Sequence, residues 1–289
     1  MAFLLVFIPV FAFADDVSNA SSVSDVSDVS SQAVVSDTSE PETEPVITSG
    51  NAIVVMSVET GQILLNTANG REVDPTCATK LMTAMLAFDM ANGLDNQVTV
   101  DAEALKNIGK KGDISAPMLG LRAGNTATVR QLLQATLISA ANDACNALAY
   151  SVSGGDIAGF VEKMNARATE IGCEHTYFTN TTGLYDGEAY TTVEDVAKIA
   201  AAFYRYNTLL DISSQPTYVI GGSTIHTKNY LRSETLMRGC TIRESKGMIA
   251  GQRTDKSDYC LITAGESDGI GYVYVIMEAA GEIRNTDGT

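Results

Sequence analysis

The sequence predicts an α/β fold of the α+β type: a sheet flanked by helices, with a mostly helical lobe beside it. Two observations predict it. Strand-like apolar runs stand at both ends of the folded part, and the stretches between them are rich in Ala, Leu and Met with helical punctuation. A sheet completed by segments distant in sequence follows.

Ala52-Ile53-Val54-Val55-Met56 reads as a buried strand. Glu59-Thr60-Gly61-Gln62 reads as a turn and Ile63-Leu64-Leu65 as the return strand, which makes a hairpin. Residues 77–90 read as a helix with Pro75 just ahead and Gly93 behind. Further helices are expected at 130–151, 157–171 and 193–206. After them, 218–220, 259–264 and 270–279 read as strands.

Ahead of this folded part, residues 2–14 are apolar and end in Ala12-Phe13-Ala14, a small-x-small pattern of the kind cleaved on export. Residues 1–14 are therefore expected to be a signal peptide and the protein to be exported, extracellular or in the cell envelope. The run is too short to span a bilayer as a permanent helix. Residues 15–48 repeat Ser, Val, Asp and Glu, carry eight carboxylates, and lack the large apolar groups that offset the entropy of folding. They are expected to form a disordered acidic linker, leaving one domain over 49–289.

A formal charge of −16 in 289 residues argues against nucleic acid or an anionic membrane as partner. Five cysteines (Cys77, Cys145, Cys173, Cys240, Cys260) are an odd number with no CxxC spacing, so neither a disulfide framework nor a metal site is expected. Only His175 and His226 are available for a Ser-His-Asp arrangement. That pushes nucleophilic chemistry towards a lysine base.

An ordered series of segments supports such chemistry. Glu59-Thr60-Gly61 precedes Pro75-Thr76-Cys77-Ala78-Thr79-Lys80-Leu81-Met82-Thr83. Asn142-Asp143-Ala144 follows, then Thr176-Tyr177-Phe178-Thr179-Asn180-Thr181-Thr182-Gly183-Leu184 and Tyr190-Thr191-Thr192. From residue 49 to about 284 the chain resembles the D-alanyl-D-alanine carboxypeptidases, the low-molecular-mass penicillin-binding proteins. The resemblance implies the penicillin-binding-protein/β-lactamase-like transpeptidase fold and a role in peptidoglycan metabolism. It also implies a peptidoglycan stem peptide or β-lactam-like ligand and no cofactor.

In such proteins the Ser of S-x-x-K attacks the acyl donor and the Lys one turn later takes its proton; S-x-N and K-T-G complete the site. Here the first motif reads Cys77-Ala78-Thr79-Lys80. Lys80 still shares a helix face with position 77, and a cysteine beside an ammonium can be a good nucleophile. The second motif reads Ala140-Ala141-Asn142, with its serine lost. Ser139 is rotated roughly 100° away on a helix. The third reads Ile249-Ala250-Gly251; Lys246, three positions earlier on a strand, faces the other way.

Three losses, each removing a different proton-handling or charge-binding group, predict a catalytically impaired domain that holds cell-wall peptide or a protein partner. Ile249 and Ala250 would give its groove an apolar wall. The alternative is an active hydrolase with Cys77 as nucleophile and Lys80 as base. Members of that family commonly continue past the last strand into a closing helix and an amphipathic membrane tail. Residues 280–289 contain neither, so no C-terminal membrane anchor is expected.

Overall fold

A computed structural model describes residues 52–110, 112, 116–227, 245–252 and 259–279. These belong to one compact unit, Val46–Thr289. The expected signal peptide (1–14), the linker (15–48), the segment 280–289 and Cys240 lie outside the described residues.

In chain order the elements are β1 (Ala52–Ser57), β2 (Ile63–Asn66), β3 (Glu72–Val73), α1 (Thr76–Met90), β4 (Gln97–Thr99) and β5 (Thr126–Thr128). They continue with α2 (Val129–Ile138), α3 (Asn142–Val152), α4 (Ile157–Ile171), β6 (Thr191–Thr192), α5 (Val193–Tyr204) and α6 (Asn207–Ser213). The last are β7 (Thr217–Ile220), β8 (Ser223–His226), β9 (Lys246–Gln252), β10 (Tyr259–Ser267) and β11 (Ile270–Ala279).

The main sheet has the order β2-β1-β11-β10-β9, all antiparallel, so the first and last parts of the chain do meet in one sheet. β1 lies between β2 and β11 and is buried along its whole length, which explains its unbroken apolar run. β11 instead alternates, with Val273, Val275 and Met277 buried and Tyr272, Tyr274 and Ile276 half-buried. α5 packs on β1 and β11, and α1 packs on β9 and β10. Ten of the fifteen residues of α1 are buried, because α2, α3, α4 and α5 surround its other sides.

The helix expected over 130–151 is two helices. α2 opens with a capping box in which Gln131 N–H donates to Thr128 Oγ1 (3.1 Å) and Thr128 N–H donates to Gln131 Oε1 (2.9 Å). It ends at Ile138. Ala140 then takes φ +52°, and the Asn142 amide leaves the helical ladder to donate to Pro117 O at 2.7 Å. Asp143 holds the new start in place. Its carboxylate accepts from the amides of Leu119 (3.0 Å), Gly120 (2.8 Å) and Leu121 (2.9 Å). Local propensity favoured one long helix, and these tertiary hydrogen bonds overrode it.

Candidate active site

The second residue of α1 is Cys77, whose side chain is almost fully buried. Asp74 Oδ1 accepts from Thr76 N–H (2.8 Å) and so starts the helix. Thr76 has φ +36°, a costly conformation for a β-branched residue, and Ala140 is also left-handed. Such strain concentrates where a site dictates backbone geometry; here it lies at or beside all three motifs, since Met248, next to Ile249, has φ +71°.

Cys77 is not a free thiol. It forms a disulfide with Cys260 of β10, 183 residues away in sequence, with Cα atoms 6.6 Å apart. The cysteine spacings predict no disulfide framework, and nothing in them marks this one long-range link. The physical reason lies in the sheet register. Cys260 pairs with Gly251 of β9, and a Cβ built on Gly251 would stand 3.3 Å from Cys260 Sγ and 3.3 Å from Cys77 Cβ. The bare glycine lets helix and strand approach closely enough to join.

Lys80, one turn beyond Cys77, is buried and donates through Nζ to the carbonyl of Thr182. The 180–184 segment is strapped over α1. Thr83 Oγ1 donates to Thr181 O at 2.8 Å, and the Asn180 side chain accepts from the amides of Thr182 (3.1 Å) and Gly183 (2.8 Å). Gly183 takes φ +71°, and any Cβ there would overlap the Thr76 carbonyl. Cys145 of α3 donates to Thr181 O at 3.1 Å. Burial pushes its thiol up to about 11, with the nearby Lys80 ammonium pulling the other way. Cys173 is likewise pushed up to about 12 by burial, then by Asp195. Neither is a thiolate at neutral pH.

In the second motif Ala140 is buried, and Asn142 donates through Nδ2 to Ile108 O at 3.0 Å. Its Oδ1 is buried and has no hydrogen-bond partner among the described residues. Ser139 Oγ is engaged with Tyr218 OH at 2.9 Å, a phenol that burial pushes up to about 12. The serine therefore turns to β7 and cannot stand in for Ala140.

In the third motif Ile249 is fully buried opposite Ile262 and belongs to the core; Ala250 and Gly251 are half-buried, opposite Leu261 and Cys260. Lys246 pairs with Glu266 and lies over Tyr204, 5.4 Å from the ring centroid, at the sheet surface as expected. α1 thus packs on both α3 and β9, and this brings the three motif segments together around the Cys77–Cys260 link. Cys260, Cys145 and the Thr182 carbonyl have no role in the reading of the sequence. Only the Asn180–Gly183 segment carried a visible signal, the turn chemistry of Asn and Gly.

Residues 37–281 match the peptidase S11 family, D-alanyl-D-alanine carboxypeptidase. The chain belongs to that family. It is 25% identical over 236 residues to D-alanyl-D-alanine carboxypeptidase DacF of Bacillus subtilis, covering 78% of this chain and 57% of the relative. It therefore spans little more than half of that relative's length. Among solved structures, the PBP3 peptidoglycan synthesis regulatory factor of Streptococcus pneumoniae superposes with TM-score 0.70 at 26% identity, over 82% of this chain and 67% of that one. Penicillin-binding protein D2 of Listeria monocytogenes, solved in its cefotaxime-bound form, gives TM-score 0.67 at 25% identity, over 83% and 93%. The expected fold is borne out by these likenesses. Among the described residues no helix is long and apolar enough to cross a membrane, and no group of three or more His, Cys, Asp or Glu could hold a metal.

Proposed function

We propose that this chain is a catalytically impaired D-alanyl-D-alanine carboxypeptidase-like domain of the cell envelope, which holds a peptidoglycan stem peptide or β-lactam-like ligand, or a protein partner, without turning it over. The observation that carries the reading is the Cys77–Cys260 disulfide: a sulfur bonded to another sulfur has no lone thiolate to attack an acyl carbon. The other two motifs point the same way. Ala140 offers no hydroxyl to relay a proton to the leaving amine, and Ile249 offers no ammonium to the terminal carboxylate of the peptide. A carboxylate brought up to this strand would lose water without gaining a charge-assisted hydrogen bond from position 249, a cost of a few kcal/mol. The disulfide also fits an oxidising, exported location. The same reading takes 1–14 as signal peptide and 15–48 as an acidic spacer ahead of the 49–289 domain.

The test is release of D-alanine from a pentapeptide ending in D-Ala-D-Ala, at neutral pH without reductant. No release is expected. Turnover that disappears in Cys77→Ala overturns the proposal. The second reading, a cysteine hydrolase, is favoured by the burial of Lys80 one turn from Cys77, and it requires Cys77 to be released from Cys260.

A further inference from the structure

We propose that the Cys77–Cys260 disulfide is a reducible gate: a dithiol reductant opens it and uncovers, at the nucleophile position, a reactive cysteine that the oxidised protein lacks. The inference rests on the reading above, in which the oxidised chain is silent.

Three placements support the gate. Cys77 is the second residue of a fifteen-residue helix, where unpaired backbone N–H groups favour a thiolate. Lys80 shares its helix face, and the Thr182 carbonyl that Lys80 engages belongs to the segment lying against Thr76, so the ammonium is held at the first turn. Asp74 is the opposing charge next to this turn, with one carboxylate oxygen engaged by the Thr76 amide. A disulfide whose departing sulfur is stabilised as a thiolate is easier to reduce. The third placement is access. Both sulfurs are buried, yet on the β9 side their cover is Gly251, which has no side chain and is itself half-buried.

The chemistry balances as ordinary thiol–disulfide exchange. A thiolate of the dithiol bonds to Cys260 Sγ, the Cys260–Cys77 bond breaks, and Cys77 leaves with the electron pair as thiolate. The second thiol of the reductant then displaces Cys260, which takes a proton, and the reductant departs as its own disulfide. Two electrons pass from reductant to protein. Cys145 and Cys173, both buried and with thiols that burial keeps protonated, do not compete for an electrophile.

The experiment treats the folded full chain with graded dithiothreitol, traps thiols with iodoacetamide, and maps Cys77 and Cys260 by peptide mass spectrometry. A 77–260 cross-linked peptide is expected without reductant. At dithiothreitol levels that leave the fold intact by circular dichroism, Cys77 should become alkylated well before Cys145 and Cys173. Lys80→Met should slow alkylation of the released Cys77 at neutral pH by roughly tenfold, the effect of one unit in a thiol pKa. A Cys77 that is free or paired elsewhere before reduction overturns the proposal. So does a link that opens only when the protein unfolds, which makes it a fixed staple. Equal alkylation of Cys77 in Lys80→Met and wild type removes the ammonium's part. D-alanine release without reductant would sink the impaired-enzyme reading instead, so the two failures are told apart.

Discussion

The first turn of α1 and the strand β9 carry the first and third motifs of one family, and they have changed in opposite ways. Around α1 the polar machinery persists: Lys80 is buried one turn from Cys77, and Asn142 Oδ1 has no hydrogen-bond partner among the described residues. β9 has instead been absorbed into the core, with Ile249 packed opposite Ile262 and its only lysine, Lys246, pinned to Glu266 at the sheet surface. The two segments differ in kind: at the first, Cys77 is held by a covalent link that a reductant can reverse, while at the second the apolar packing of Ile249 stands where only substitution could place a charge.

That contrast can be broken most forcefully at Ile249. If β9 is core, Ile249→Lys buries an ammonium where an apolar side chain packed, and it should cost about 4–5 kcal/mol of stability in urea unfolding. A variant as stable as wild type would mean that position 249 still opens on a polar cleft. Gly183→Ala comes next. It forces a side chain into a left-handed position against the Thr76 carbonyl, at about 3–4 kcal/mol, and should loosen the strap that holds Lys80. An unchanged unfolding midpoint would show that the strap does not fix α1.

Removing the link by Cys260→Ser should lower stability by about 2–3 kcal/mol, since the cross-link closes a long loop in the unfolded chain. Loss of nothing would argue that the link does not form in the folded protein. The smallest effect tests a region remote from both motifs. Burial alone would raise Glu194, but the Asn66 amide (2.6 Å) and the Gly70 N–H (2.7 Å) outweigh it and hold the carboxyl below its ordinary 4.5. A depressed folded value means that its contribution is full above pH 4.5 and fades as pH falls through and below that point. Melting temperature should fall across this window in wild type and less steeply in Glu194→Gln.

Much of the fold was legible in the sequence because strand and helix periods are local properties. The run at 52–56, the helix at 157–171 and the strand at 270–279 all appear where their apolar patterns put them. What was hidden depended on contacts between distant segments. The Ala-rich stretch around 140 reads as continuous helix, and only the hydrogen bonds to Pro117 and to residues 119–121 break it. Cys77 and Cys260 could not be paired by spacing, because their approach depends on a glycine in a third element, β9. For the same reason the sequence shows that Ile249 is apolar, while only its pairing with Ile262 shows what it packs against.

Whether the oxidised site is silent is read from the mass of the intact, unreduced protein after incubation with benzylpenicillin. With Cys77 held by Cys260, the mass should be unchanged. A gain equal to one penicilloyl group, carried on the Cys77 peptide, would contradict it.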